Sequence, residues 1–314
     1  MIYQAKSKAY TNIALTKYWG KRDEKLNLPT TSSIGLTLDH FSTTTSIEFN
    51  PELKKNIFYL DNQKTESEKI NKVLNFVQAK YNIDMFAKIE SFNNVPLSSG
   101  FASSASAFAA LAYAIDSALG LGLSKPKISE IARIGSGSAS RSIFNGFSLW
   151  DKDSGTADEL MDKVNFDIQI IDLIANEEIK AISSSLGMQL AQTSLHYQDW
   201  VYQSAIDTKN MITAIYNIDL EQIGFIAEKN ALSMHLLNRT AKKPFDYFTK
   251  QTNDILERIK ALRNNGVLAF ATIDAGPNIK IITNSHNSNL VLNEFNDISK
   301  KIVQKPGLGA TFVD

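Results

Sequence analysis

PLSSGFASSAS at residues 96–106 runs directly into an apolar stretch from Ala105 to Leu119, and this junction decides how the chain is read. Small side chains let a phosphate approach the backbone. A helix starting there offers unpaired N–H groups and the positive end of its dipole. Ser103, Ser104 and Ser106 add hydroxyl donors, one of which could reach a magnesium ion. An ordinary serine-rich loop with a capping residue would have the same composition. The rest of the sequence has to separate the two.

The chain has 314 residues, enough for a large core and for two domains. Its 33 basic and 33 acidic residues cancel, so neither a nucleic acid nor a membrane surface is expected as partner. An anionic ligand must then be met by a local cluster of cations. The absence of cysteine excludes disulfides, thiolate metal sites and a cysteine nucleophile, and fits a cytoplasmic location. The first 25 residues lack an apolar signal core and read as mature protein. Asp116, Gly120 and Gly122 interrupt the apolar run Ala105–Leu123, which favours a buried helix over a membrane span.

β-Branched alternation predicts a strand over Thr43–Asn50, and Ile70, Val73, Leu74 and Val77 give Ser67–Tyr81 helical spacing. Lys88–Phe92 reads as a short strand feeding the serine-rich loop, and Ile128–Ile134 as a helix. Further on, Met211–Leu237 breaks at Asp219, a natural N-cap, and Phe248–Arg263 is helical up to the stop Asn264-Asn265-Gly266. Val267–Ile273 and Ile279–Thr283 read as strands joined by the turn Asp274-Ala-Gly-Pro-Asn278. A boundary near residue 180 would divide the chain into 1–180 and 181–314.

Three more polar clusters accompany the serine-rich junction. In NIALTKYWGKRD at 12–23, an alternating backbone would place Lys17, Trp19 and Lys21 on one face and Tyr18 opposite. Lysines aimed at one point suit a phosphate or diphosphate, although a solvated basic edge strand has the same pattern. In GSGSASRS at 135–142, two glycines permit close backbone approach and Arg141 can grip a carboxylate or phosphate; a flexible linker is the alternative. Asp274 at a strand end is either an Asx-turn residue or a catalytic carboxylate. His40, His196, His235 and His286 lack metal-ligand spacing and read as satisfied structural or surface residues. No G-x-S-x-G elbow supports a serine hydrolase.

Together these clusters resemble the mevalonate diphosphate decarboxylases, a branch of the GHMP kinase superfamily. The resemblance rests on NIALTKYWGKRD at 12–23, LPTTSSIGLTL at 28–38, PLSSGFASSASAFAAL at 96–111 and GSGSASRSIFNGF at 135–147. SSSLGMQLAQTS at 183–194 and IDAGPN at 273–278 complete it, in family order across most of the chain. Phe101, Lys242-Lys243-Pro244 and KPGLGA at 305–310 depart from the family pattern outside the chemical clusters.

The resemblance implies an α+β fold of two domains. These are an N-terminal ribosomal-protein-S5-like domain and a C-terminal ferredoxin-like sandwich, with the active site in the cleft between them. It also implies a cytoplasmic homodimer using ATP and Mg2+. The implied reaction converts 5-diphosphomevalonate to isopentenyl diphosphate with release of ADP, phosphate and CO2. Carried over by motif, Asp274, Lys21 and Arg141 would be catalytic. Lys17, Tyr18, Trp19, Gly20, Lys21, Ser136, Gly137, Ser138, Ala139, Ser140, Arg141, Ser184 and Ser185 would hold the substrate. Lys69, Ser98, Ser99, Gly100, Ala102, Ser103 and Ser104 would bind ATP, with Ser104 on the magnesium ion. A decarboxylase of the 5-monophosphate, a mevalonate kinase of the same superfamily and a non-catalytic precursor sensor remain open at this stage.

Overall fold

The computed structural model describes residues 2–94, 103–175 and 181–313. The first half carries β1 (Tyr3–Ala14), β2 (Lys21–Asp23), β3 (Leu28–Pro29), β4 (Ser33–Asn50), β5 (Ile57–Leu60), β6 (Gln63–Thr65), β7 (Phe86–Asn93), β8 (Phe147–Trp150) and β9 (Ala157–Met161). Between them lie α1 (Glu68–Tyr81), α2 (Ser103–Leu119), α3 (Lys125–Gly135) and a 3₁₀ helix at Gly137–Ile143. The second half adds β10 (Gln169–Leu173), β11 (Phe270–Ile273), β12 (Ile279–Thr283), β13 (Lys301–Gln304) and β14 (Thr311–Phe312). Its helices are α4 (Ser184–Ala191), α5 (Tyr197–Tyr216), α6 (Leu220–Arg239), α7 (Lys250–Asn264) and α8 (Ser285–Glu294).

Local chemistry sets several of these boundaries. The Ser67 side chain accepts the Ile70 N–H and starts α1, whose four apolar positions are all buried. Asn82 ends it in the left-handed conformation, where a short polar side chain is tolerated. Asp219 caps α6 as its sequence position suggests, and Thr249 with Thr252 forms a capping box on α7. In α2, Asp116 turns inward and accepts the Leu123 N–H, which closes the helix end above Gly120 and Gly122. No helix among the described residues is long and apolar enough to cross a membrane.

The first sheet runs β14-β1-β4-β7-β5-β6, with β8 joining β4 and β9 joining β8. Helices α1, α2 and α3 cover one face and close a core around Phe49, Leu74, Leu111 and Ile131. The second sheet runs β11-β12-β10-β13, wholly antiparallel, with α4–α7 between its first two strands in sequence and α8 between its last two. That connectivity is ferredoxin-like and completes the expected α+β pair of domains. Sheet membership divides the chain earlier than the expected boundary at 180. β10 already belongs to the second sheet, and β14 returns to the first. Ile13, Leu36 and Phe147 of the first unit share a core with Ile170, Phe270 and Ile282 of the second. The cleft between the units therefore rests on a continuous apolar floor.

Candidate active site

The segment 12–23 positions the site. β1 ends at Ala14, and the chain leaves the sheet so that the Lys17 N–H donates to Asn230 Oδ1 on α6 at 2.8 Å. The Lys17 side chain turns inward, only 2% exposed, and its Nζ donates to Ala14 O at 2.8 Å and Asp274 Oδ1 at 2.9 Å. A solvated basic edge is thereby excluded. Residues 15–20, between β1 and β2, are not in a strand, yet the expected alternation of faces survives. Trp19 Nε1 donates to Asn238 Oδ1 on α6 at 3.0 Å and Lys21 Nζ to Ser185 Oγ at 3.1 Å, both across the cleft. Tyr18 turns the other way and meets the Trp150 ring edge-on at 4.6 Å. Its hydroxyl is buried without a hydrogen-bond partner among the described residues while the residue lines the cavity, which leaves a donor for a ligand. Gly20 does not line the cavity. Its φ of +141° and the Tyr197 hydroxyl, 1.8 Å from where a Cβ would stand, make it the hinge that turns Lys21.

The wall opposite is built by the 3₁₀ helix. With three residues per turn, Ser138 and Arg141 fall on one face and line the cavity together with Ser136 and Gly137. Ala139 and Ser140, expected at the substrate, face inward instead. Ala139 is in the core, and Ser140 Oγ donates to Ser129 O at 3.2 Å. Arg141 Nε donates to Asn12 Oδ1 at 3.1 Å and one terminal nitrogen to Ser33 Oγ at 2.6 Å. The described residues supply no acceptor for the other. Gly35 makes this possible, since a Cβ there would lie 2.7 Å from Arg141 Nε.

At the start of α2, Ser103 and Ser104 line the cavity, and Ser104 Oγ lies 3.2 Å from Ser136 Oγ. Ser106 is turned away, bonded to Thr43 on β4. Ser98, Ser99, Gly100 and Ala102 lie outside the described residues. Lys69 lines the rim of the cavity, joined by Lys72 one helical turn on. Burial and the nearby Lys21 draw both ammonium groups below the usual lysine range. Ser184 and Ser185 at the start of α4 form the facing rim.

The cavity enclosed by these parts measures about 730 Å³. Asp274, just past β11, is its inner carboxylate, with Lys280 Nζ on β12 3.8 Å from its second oxygen. Burial would raise the Asp274 pKa, but Lys17, Lys280 and Arg141 prevail and hold it at about 2. Burial draws Lys17 below its usual range, opposed by Asp274. Arg141 is lowered by burial to about 10 and stays charged at neutral pH. His235 is a buried structural histidine beside the site. It is fully buried, its ring tilted at 42° and 4.4 Å from that of Phe248, with no well-formed hydrogen bond to either nitrogen among the described residues. Burial and the neighbouring Lys17 push its pKa down to about 3.

Among the described residues no group of three or more His, Asp or Glu side chains is placed to hold a metal ion. A magnesium ion fits as the companion of a nucleotide, held mostly by phosphate oxygens and water, with Ser104 as the candidate protein ligand.

Residues 9–161 match the family model of the diphosphomevalonate decarboxylase-like N-terminal domain, and residues 170–306 that of the mevalonate 5-diphosphate decarboxylase C-terminal domain. The chain belongs to the diphosphomevalonate decarboxylase family. It is similar to the mevalonate diphosphate decarboxylase of Staphylococcus aureus, with 37% identity, a TM-score of 0.95 and coverage of 100% of this chain and 99% of that one. MDDEF, solved in complex with MVAPP, AMPPCP and magnesium, is 35% identical with a TM-score of 0.94 and full coverage of both chains. The diphosphomevalonate decarboxylase of Ganoderma lucidum is 32% identical over 90% of this chain and 78% of that protein. A phosphomevalonate decarboxylase of Haloferax volcanii is also similar, 27% identical over 89% of this chain and 88% of that protein. Proteins similar to this chain are thus named for either substrate.

Proposed function

We propose that this protein is an ATP- and magnesium-dependent decarboxylase of (R)-5-diphosphomevalonate, forming isopentenyl diphosphate, ADP, phosphate and CO2. The observation that carries the reading is the Lys17–Asp274 ion pair at 2.9 Å, set beside Arg141 in a cavity walled by serines and lysines. A non-catalytic sensor has no need of a carboxylate held ionised against two lysines.

Hydroxide leaves a tertiary carbon poorly, so the 3-hydroxyl must first accept the γ-phosphoryl group. Lys69, Lys72 and the serines at the start of α2 would align ATP, and bound magnesium would neutralise phosphate charge. Asp274, with a pKa near 2, is a weak base. It would orient the hydroxyl from the start and take its proton late, once transfer has made that proton acidic. Phosphate departure then develops positive charge at C3, which Asp274 and the leaving phosphate stabilise. Arg141, anchored by Asn12 and Ser33, would hold the substrate carboxylate; a tight grip favours the charged ground state, so its role is binding and orientation. Tyr18, Lys21, Ser136, Ser138 and Ser185 would hold the diphosphate.

A cytoplasmic homodimer belongs to the same proposal. Tyr202 on α5 and Phe225, Leu232 and Leu236 on α6 expose apolar surface that a second copy would cover; sedimentation velocity should give twice the chain mass. The activity is tested by incubating the protein with ATP, magnesium and 5-diphosphomevalonate and identifying the product by NMR. A terminal alkene is expected. A phosphorylated product that retains its carboxylate would replace this reading with that of a kinase.

A further inference from the structure

Within a single turn of α5 the inward face turns polar. Ser204, Asp207 and Thr208 are buried there, where the turns that follow bury Met211, Ala214 and Ile215. Asp207 is 4% exposed, and a position serving only the core would be apolar, because burying a carboxylate is costly. This turn meets the segment that carries Lys17. Thr208 Oγ1 lies 3.4 Å from both Thr16 Oγ1 and Ser32 O. Asp207 itself meets Asn230 on α6, which is fully buried. Asn230 Nδ2 donates to Asp207 Oδ2 at 2.9 Å and to Ser204 Oγ at 3.2 Å, while its Oδ1 accepts the Lys17 N–H at 2.8 Å. Gln203 Nε2 donates to Asp207 Oδ1 at 2.8 Å, and Lys229 Nζ stands 3.5 Å from the same oxygen at the exposed edge.

The two ends of an amide have nearly the same shape and opposite chemistry. Only the oxygen end can receive the Lys17 N–H. A carboxylate only accepts, so Asp207 takes the nitrogen end and leaves the oxygen for Lys17; a serine hydroxyl alone would suit either end. Thr31 Oγ1 donates to the Lys17 carbonyl at 3.2 Å, so this residue's backbone is held at both its polar groups. From that fixed backbone the side chain folds back onto Ala14 O and Asp274. Hydrogen bonds of 2.9, 2.8 and 2.9 Å thus link Asp207 to Asn230, Asn230 to Lys17, and Lys17 to Asp274.

We propose that Asp207 and Asn230 are positioning residues for the reaction: Asp207 orients the Asn230 amide, whose oxygen fixes the Lys17 backbone so that the ammonium group meets Asp274. Neither residue lines the cavity, so both act through Lys17 and not on substrate. This inference rests on the decarboxylase reading. Trp19 has anchors of its own, Asn238 at its ring nitrogen and Tyr197 at its carbonyl. Loosening Lys17 should therefore leave the substrate-holding residues beyond it in place.

The test compares wild type, Asp207→Asn, Asn230→Asp and the double variant carrying both, by CO2 release from 5-diphosphomevalonate with ATP and by urea unfolding. Asn230→Asp sets two carboxylates against each other, and Asp207→Asn frees the amide to turn. Each should lower kcat about tenfold or more, with KM for both substrates changed less than about threefold. The double variant exchanges acid and amide and restores the hydrogen-bond pattern, with an acceptor again facing the Lys17 N–H. Its kcat should return to within about threefold of wild type. Should Asn230→Asp not fold, Asp207→Asn and the double variant still decide the matter. Wild-type kcat in Asp207→Asn, a raised KM with kcat kept, or a double variant that regains stability without kcat would overturn the positioning role while leaving the activity standing. Absence of CO2 release by wild type would overturn the activity and this role together.

Discussion

Replacing Asp274 with Asn should separate its two duties. At an effective dielectric of about 20, the pairs at 2.9 and 3.8 Å correspond to gross attractions of roughly 6 and 4 kcal/mol. Most of this is offset, because the variant no longer desolvates a carboxylate and Lys17 can shed its proton. Breaking one side of a buried pair typically leaves a net cost of about 3–5 kcal/mol. Here the Asp274 side chain is 26% exposed to the cavity, so about 3 kcal/mol is expected. Turnover should fall by about a thousandfold or more, through loss of both the proton acceptor and the negative charge beside C3. Adding Lys17→Met removes the stranded cation, so the double variant should be more stable than Asp274→Asn alone and just as inactive. Urea unfolding of wild type, both single variants and the double gives the coupling energy, and ADP release gives turnover. An Asp274→Asn variant as stable as wild type, a double variant no more stable than Asp274→Asn, or a tenth of normal turnover remaining would each refute these two duties of Asp274.

Three further outcomes follow from the geometry. Gly35→Ala places a methyl 2.7 Å from Arg141 Nε and should loosen its bond to Asn12; KM for the substrate should rise about tenfold or more with a smaller change in kcat, checked by steady-state kinetics. Lys21→Ala, at the Ser185 end of the cleft, should damage reaction with the 5-diphosphate more than with the 5-monophosphate. Each donor left unpaired is worth about 1–3 kcal/mol, and equal losses in kcat/KM on both substrates would remove Lys21 from the second phosphate. His235 stays neutral in the fold down to about pH 3, whereas the unfolded chain protonates it near 6.5. Stability therefore falls as pH drops through that window. Between pH 7 and 5 wild type should lose about 2 kcal/mol more than His235→Leu; comparing the two in urea cancels the opposite contribution of Asp172, whose raised pKa adds stability as pH falls below about 6.

Much of the scaffold could be read from the chain. Helix α1 follows from its apolar spacing and Ser67, α6 from Asp219, and the strand pair β11–β12 from the turn after Asp274. The faces of Lys17, Trp19 and Lys21 were legible even though the chain between β1 and β2 is not in a strand. What escaped depends on partners distant in sequence. Lys17, not Lys21, holds Asp274, a choice made between residues 257 positions apart in the chain. Lys280 reads as the outward residue of an ordinary strand, because Ile-Lys-Ile alternation carries no sign of a buried anion on either side. Ala139 and Ser140 read as part of a ligand loop, since their sequence does not announce a three-residue period. Asn12 lay within a recognised motif, but only the fold brings it to Arg141. Lys72 had a local signal: it lies three residues after Lys69 and on the same side of α1.

The central claim is that one molecule of CO2 leaves for each ATP consumed, from the diphosphate in preference to the monophosphate. ADP and CO2 should be followed separately in parallel reactions containing ATP and mevalonate, its 5-phosphate or its 5-diphosphate. Equal yields of ADP and CO2 are expected from the 5-diphosphate, with kcat/KM about a hundredfold or more above that for the 5-phosphate. ADP without CO2, or a preference for the 5-phosphate, would contradict it.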